Sequence, residues 1–144
     1  MVRYKGKDIE VRIATSESGL DTAPVIPYVT SVRWSKDAGV ASKPKGFGYN
    51  TMEVSDGLVR YSGRITREYD ETAVESTNIF AQAVGAFSTT TPMLYIQIKN
   101  KVTGRKDVLK KCMGKYSQDQ PDVDGFITET YDFEFEEAAT TIPP

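Results

Sequence analysis

An Asp-Gly pair at residues 56–57, set between two runs of alternating apolar and polar residues, constrains the fold of this chain more than any other feature. The runs cover residues 51–55 and 58–69, and Asp-Gly between such runs is the strongest short-range signal for a β-hairpin. Directly after them, a Thr-Ala-Val-Glu tetrad has the spacing of a helix capping box and opens an amphipathic pattern over about residues 72–86. The segment therefore predicts a hairpin followed by a single helix.

The rest of the chain is strand-like. Alternation predicts further strands at residues 8–14, 26–34, 93–99, about 106–116 and 127–135. We also expect a long loop over residues 35–50 and a short loose tail from about residue 138. Six or seven strands and one helix predict a mainly β (α+β) fold, in which two packed, mostly antiparallel sheets form a sandwich or partly closed barrel flanked by the helix.

Length and composition are typical of one ordinary globular domain. The chain has 144 residues, of which 26% are charged, so we expect residues 1–144 to form a single domain. No apolar run approaches the roughly 18 residues that a membrane-spanning helix needs. The N-terminus lacks the apolar segment of a secretory signal. We therefore expect no insertion into a membrane.

Charge is strongly segregated along the second half of the chain. Residues 99–115 contain seven Lys or Arg and one Asp, whereas residues 119–137 contain eight acids and no base. The two blocks could neutralise each other across a hairpin or complement a neighbouring copy of the chain. The net charge of −2 argues against tight binding to duplex DNA, which favours clustered and uncompensated basic charge.

The sequence lacks the residues that most enzymes and metal sites use. There is no histidine, which removes Ser-His-Asp and Cys-His catalysis, and one cysteine cannot build a structural zinc site. The Asp-Val-Asp-Gly stretch at residues 122–125 resembles part of an EF-hand loop, but Tyr131 then stands where a bidentate Glu is required. We expect no catalytic residue, no metal and no cofactor, and the chain is not predicted to be an enzyme.

The single cysteine, Cys112, has two interpretations. Neighbouring lysines could lower the pKa of its thiol and make it reactive. The alternative, which we prefer, is a buried structural thiol on a short strand.

The predicted loop carries basic and aromatic residues on a glycine-rich backbone. They are Lys43, Lys45, Phe47 and Tyr49. Single-stranded nucleic acid could bind such a combination, and so could another protein subunit, for which aromatic rings and Lys stems supply contact area. A loop that is simply mobile is the third possibility.

Five features follow one another along the chain: the long loop, the hairpin around residues 53–57, the segment 63–70 (Gly-Arg-Ile-Thr-Arg-Glu-Tyr-Asp), the single helix and the C-terminal strand at residues 131–135 (Tyr-Asp-Phe-Glu-Phe). This organisation resembles that of tail-tube proteins. These proteins occur in tailed viruses and in contractile injection systems, including the inner tube of type VI secretion. The resemblance covers nearly the whole chain and rests on the order of elements, because no short motif is diagnostic of the family.

The resemblance implies a self-assembling structural protein of a virion tail or tail-like particle, built in the host cytoplasm. Six copies would close into a ring, and rings would stack into a hollow tube through which DNA passes without specific binding. The chain's main partner would be itself, with tail sheath, baseplate and terminator proteins as further partners. Ring-to-ring contacts would involve Lys43, Lys45, Phe47 and Tyr49. The lumen would be lined by Ser62, Thr66, Thr128 and Thr130.

Two other functions remain open at this point. A tail terminator or head–tail joining protein shares the same small β-plus-helix plan but forms a single ring. A small-molecule-binding β-barrel would need an apolar interior cavity, whereas the inward residues predicted here are large and numerous enough to fill a core.

Overall fold

The computed structural model describes residues 8–37, 41–44, 52–55, 59–69, 78–120 and 126–142. Within these ranges the chain forms nine β-strands and one helix, and all strand pairs are antiparallel. The elements are β1 Ile9–Ala14, β2 Val29–Asp37, β3 Ala41–Pro44, β4 Met52–Ser55, β5 Arg60–Tyr69, α1 Ile79–Ala83, β6 Leu94–Asn100, β7 Lys106–Asp119, β8 Ile127–Phe135 and β9 Glu137–Thr141. The predicted mainly β fold with one helix is confirmed.

Two sheets share the long strand β7. The first half of β7 pairs with β6 on one side and β9 on the other, and β1 extends that sheet beyond β6. The second half, from Met113 to Asp119, pairs with β8, and the sheet continues through β5 to β2. Lys111 has a left-handed backbone with φ 59° where β7 passes from one sheet to the other. The shared strand curls the structure into a half-barrel.

The core lies between the curled sheets and against α1. Strand β8 shows how the sequence produces it, because its residues alternate between buried and more exposed positions along its whole length. Its inward apolar residues were predicted, and the prediction is confirmed for Ile127, Tyr131, Phe133 and Phe135. From the helix, Phe80 and Ala81 pack against this face and have no exposed surface.

Helix α1 is shorter than predicted. It covers Ile79–Ala83, and its N-cap is Asn78, whose side chain accepts a hydrogen bond from the Ala81 N–H at 3.0 Å. The backbone of Asn78 is extended (φ −73°, ψ 92°), so a helix running without interruption from 72 to 86 is wrong. The predicted capping box at residues 72–75 lies outside the described residues. At the other end, Gly85 has φ 71°, a conformation that ends helices and favours glycine.

The predicted pairing of the hairpin is also wrong. Strand β4 pairs with β3, from Ala41 opposite Ser55 to Pro44 opposite Met52, whereas β5 pairs with β2 and β8. The Asp-Gly pair at 56–57 lies outside the described residues. A local turn signal indicates where a chain reverses, but it does not determine which strands pair with the two edges of β5.

Two segments predicted to be irregular form strands. Part of the predicted loop 35–50 is regular, since residues 35–37 complete β2 and residues 41–44 form β3. The tail predicted to be loose contains β9, which pairs with the first half of β7 from Glu137 opposite Lys110 to Thr141 opposite Lys106. Its Ala and Thr residues give little of the apolar alternation that predicts a strand. Its structure is therefore determined by pairing with residues 106–110 of β7, whose backbone groups on that side would otherwise have no partner strand.

Candidate interaction surface

The four-stranded sheet formed by β2, β5, β8 and the second half of β7 has one face on the core and one face toward solvent. We call the second the outward face. Its side chains are Ser31, Arg33, Ser35, Ser62, Arg64, Thr66, Glu68, Met113, Lys115, Ser117, Asp119, Thr128, Thr130, Asp132 and Glu134. All are exposed or half-buried, and all but Met113 are polar or charged. This surface is suited to contact with water or a polar ligand.

Strand pairing arranges most of the outward face in rows that cross the sheet. The cationic row consists of Arg33, Arg64, Asp132 and Lys115. The hydroxyl row consists of Ser31, Thr66, Thr130 and Ser117. The acidic row consists of Glu68, Thr128 and Asp119. A fourth row, on the other side of the cationic row, consists of Ser35, Ser62, Glu134 and Met113. Moving along the strands from this row, a ligand would meet a positive, then a neutral, then a negative band.

The four residues predicted to line a lumen come together on this face. Thr66 and Thr130 are directly opposite each other in the hydroxyl row, Thr128 lies in the acidic row, and Ser62 stands beside Ser35 with their Oγ atoms 3.3 Å apart. Residues i and i+2 of a strand share a face, so the alternation of β5 and β8 already indicated this grouping. That the face borders a lumen remains a prediction.

The residues predicted to contact a neighbouring ring are not brought together by the described structure. Lys43 lies in β3, opposite Glu53 of β4. Lys45, Phe47 and Tyr49 lie outside the described residues. Their role stays a prediction.

Both lateral edges of the four-stranded sheet are open among the described residues. Strand β2 pairs only with β5, and no described strand lies along the outer side of residues 113–119 of β7. Each edge presents a row of backbone N–H and C=O groups, which can pair with another strand. The molecule thus has two complementary backbone surfaces on opposite sides of one sheet.

A buried polar network, which sequence reasoning missed, lies on the inner face of the same sheet. Arg67 of β5 donates from Nε to Glu129 Oε1 at 2.8 Å, from Nη1 to the Pro27 carbonyl at 3.1 Å and from Nη2 to Asn78 Oδ1 at 3.0 Å. Asn78 Nδ2 donates to Glu129 Oε2 at 2.7 Å, and the Tyr116 hydroxyl donates to the same oxygen. The inward positions of Arg67 and Glu129 in alternating strands were the signal that could have revealed it.

The network joins three strands to the start of α1. Burial, and secondarily the hydrogen bond to Glu129, raises the pKa of Tyr116 above its ordinary value of 10.0. The ring of Phe80 lies under the Arg67 guanidinium, with 5.5 Å between the guanidinium carbon and the ring centroid. The network therefore fixes β5, β7 and β8 relative to the helix.

Cys112 is buried in the core. Its side chain has no exposed surface, and burial raises the pKa of its thiol from 9.0 to about 12. The prediction of a buried structural thiol is confirmed, because a neutral thiol without solvent access is a poor nucleophile.

Strand pairing brings the two charge blocks together within one chain. The basic block lies on β6–β7 and the acidic block on β8–β9, and these segments run side by side. Lys111 Nζ of the basic block is 3.3 Å from Glu136 Oε2 of the acidic block. Neutralisation across paired strands therefore accounts for part of the segregation.

The described part of the chain contains neither a candidate metal site nor a helix suited to span a membrane. Within it, no three His, Cys, Asp or Glu side chains gather in a way that could hold a metal ion. In the same ranges, no helix is both long and apolar enough to span a membrane.

Comparison with known proteins places the fold. No protein-family model matches the sequence, and no curated protein matches it. Among solved structures, a chain of the virion of a native gene transfer agent particle matches with a TM-score of 0.65 at 13% identity, covering 99% of this chain and 100% of that chain. The SPP1 tail tube matches with a TM-score of 0.66 at 12% identity, covering 98% of this chain and 80% of that chain.

A third match comes from an extracellular contractile injection system. A chain of the PVC sheath/tube terminator in its extended state has a TM-score of 0.62 at 8% identity, covering 98% of both chains. At these identities the likeness concerns the fold. The resemblance to tail-tube proteins predicted from the sequence is confirmed at that level.

Proposed function

We propose that this chain is a non-catalytic structural protein that assembles into rings, six copies to a ring, and that the rings stack into a hollow tail tube for DNA or effectors. The observation that carries this proposal is the pair of open edges on the four-stranded sheet. Closing a ring of such sheets removes every lateral edge, which a monomer would otherwise leave available for aggregation.

Strand direction favours this closure. Strands β2, β5, β8 and β7 alternate in direction, so β2 and β7 run opposite to each other. Rotation about a ring axis preserves the direction of each strand along that axis. The second half of β7 in one copy therefore meets β2 of the next copy in antiparallel orientation, which is the pairing used throughout this protein.

In the assembled ring the outward face borders the lumen, including Ser62, Thr66, Thr128 and Thr130. The segment with Lys43, Lys45, Phe47 and Tyr49 contacts the adjacent ring. Partners are further copies of the chain and the sheath, baseplate and terminator proteins of the same particle. The protein resides in a virion tail or a tail-like particle, as the solved structures of similar fold do.

A tail terminator or a head–tail joining protein is the second candidate, favoured by the match to a sheath/tube terminator. Negative-stain electron microscopy of the purified chain at rising concentration separates the two. Hollow tubes of uniform diameter support the tail tube, and rings that do not stack at any concentration support the terminator or joining protein. Monomers at every concentration overturn both, because both require the sheet edges to pair.

A further inference from the structure

The cationic row has charges that the described part of the protein leaves unbalanced. Arg33 and Arg64 are directly opposite each other on β2 and β5, an arrangement of like charges that destabilises a sheet. Arg64 pairs with Asp132. Among the described residues, no carboxylate lies within ion-pair distance of Arg33 or Lys115, although both side chains are exposed. Two positive charges per protomer thus have no ion-pair partner among the described residues.

These charges surround a hollow in the outward face. A cavity of about 710 Å³ spans all four strands of the sheet, and the cationic row crosses it. Its polar and charged lining side chains are Arg33, Ser35, Ser62, Arg64, Lys115, Asp132 and Glu134. Gly63 and Gly114 line it through their backbones. The hollow therefore combines open volume, three cationic side chains and hydroxyl groups with two carboxylates, of which Asp132 pairs with Arg64 and Glu134 with Arg60.

We propose that the cationic row contacts the phosphate groups of a nucleic-acid backbone lying along the outward face. The inference rests on the proposed function in one respect, since it takes the outward face as the side along which DNA passes. Arginine guanidinium groups donate forked hydrogen bonds to phosphate oxygens, and lysine supplies a compact positive charge. Contacts to phosphate carry no sequence information, so the row binds DNA without regard to base sequence.

Phosphate fits the row better than the carboxylates of an acidic peptide do. Arg33 and Arg64 flank one position from two strands, with Lys115 further along the row and the hydroxyl of Ser35 on a neighbouring row. A phosphate presents oxygens in several directions and can accept from Arg33 and Arg64 together, whereas a carboxylate presents two oxygens in one plane. Lys115 lies three strand spacings from Arg33, so it faces another phosphate of the same backbone. The carboxylates of the acidic row and of Glu134 lie on opposite sides of the cationic row and repel phosphate, so the contact is confined to one level of the sheet.

The test measures binding of a short labelled oligo-deoxythymidine by fluorescence anisotropy across a range of salt concentrations, using the full chain. The variant R33Q/K115Q removes the two unpaired charges. The control K99Q/K101Q removes the same charge from the other sheet and its turn. We expect R33Q/K115Q to lower the affinity at low salt roughly tenfold and to reduce the slope of log K against log salt by about 0.7 for each lost contact. The control K99Q/K101Q should retain the affinity and the salt dependence of the wild type.

Three results would overturn the phosphate contact. One is an equal loss of oligonucleotide affinity in R33Q/K115Q and K99Q/K101Q, which would reflect net charge alone. Another is an unchanged affinity in R33Q/K115Q. The third is equal or tighter binding of a poly-glutamate peptide of the same length, which would identify an acidic polypeptide as the ligand. Retention of binding by R33K/K115R, with circular dichroism matching the wild type, would support the inference.

Electron microscopy of the same samples separates this inference from the proposed function. If tubes form normally and R33Q/K115Q binds the oligonucleotide as tightly as the wild type does, the phosphate contact is overturned and the proposed tail tube is not affected. A chain that never assembles overturns the tail tube, and the salt dependence of the protomer still decides whether the cationic row binds phosphate.

Discussion

The Arg67 guanidinium and the Glu129 carboxylate meet at 2.8 Å in a part of the core where neither side chain has any exposed surface. A buried ion pair adds little net stability, because the desolvation of both groups offsets their attraction. Removing one partner is different, since it leaves a charge without compensation in a low-dielectric interior. The pair therefore links β5 to β8, and through Asn78 to the start of α1, while adding little net stability.

We expect R67M to lower the free energy of unfolding by about 3–5 kcal/mol, because Glu129 would remain buried without its partner. The double variant R67M/E129M should lose clearly less than the sum of the two single variants. Urea unfolding followed by circular dichroism measures all three. The control is R60M, which removes an exposed pair with Glu134 at 3.8 Å and should cost under about 1 kcal/mol. A cost of R67M as small as that of R60M would contradict the prediction.

Two glycines of the four-stranded sheet should differ in their tolerance of alanine. A Cβ on Gly114 would lie 2.0 Å from the Asp132 carbonyl oxygen and 2.5 Å from Phe133 Cα, which are backbone atoms. A Cβ on Gly63 would meet the tip of the Phe133 ring at 2.5 Å, and a ring can tilt. We expect G63A to cost about 1–3 kcal/mol and G114A to cost more. Thermal unfolding tests the order, and equal melting temperatures would refute it.

Stability should fall in alkaline solution. Burial raises the pKa of the Cys112 thiol from 9.0 to about 12, and it also raises the pKa of Tyr131 above 10.0. Between the ordinary pKa of each group and its raised pKa in the folded protein, the unfolded chain releases a proton that the folded chain keeps. The free energy of unfolding is therefore undiminished below about pH 9 and declines above it. Each fully titrating group contributes about 1.4 kcal/mol per pH unit. Urea unfolding across this range should give a flatter decline for C112A than for the wild type, and identical slopes would contradict the prediction.

The sequence predicted which face of a strand is buried better than it predicted which strands pair with each other. Period-2 alternation placed Tyr131 and Phe133 inward and Thr128 and Thr130 outward, because the direction of a side chain depends only on its position in the strand. Pairing between strands depends on distant segments. The Asp-Gly turn signal predicts that β4 and β5 pair as a hairpin, whereas β4 pairs with β3 and β5 lies between β2 and β8.

The candidate site was predictable to a similar extent. Alternation indicated that Ser62 and Thr66 share a face, but only register places Arg33, Arg64, Asp132 and Lys115 in one row, since they come from four strands far apart in sequence. The buried network was missed because a charged residue at an inward position is read as an exception until its partner is known. Asn78 shows the same limit, since its capping role depends on contacts with β5 and β8.

The segment proposed to contact the adjacent ring can be tested by the triple variant K45S/F47S/Y49S. It removes three of the four proposed contact groups, keeps Lys43 and leaves strands β3 and β4 unchanged in sequence. We expect a folded protomer that still forms rings but no longer stacks them into tubes. Circular dichroism measures folding, and electron microscopy measures stacking. Normal tube growth would contradict the proposed role, and so would global unfolding.

The open edge of β7 can be tested with two neighbouring prolines. Successive N–H groups of a strand point to opposite sides, so of residues 117 and 118 one donates toward β8 and the other faces the open edge. Proline removes the N–H, and it is tolerated where that N–H has no partner within the sheet. We therefore expect S117P and Q118P to behave differently. One should lower the melting temperature because it breaks a bond to β8. The other should melt like the wild type but form no rings, because β2 of the next copy loses its partner.

Each variant is the control for the other, with light scattering and electron microscopy measuring assembly. If the stable variant forms rings as readily as the wild type, this edge does not close the ring.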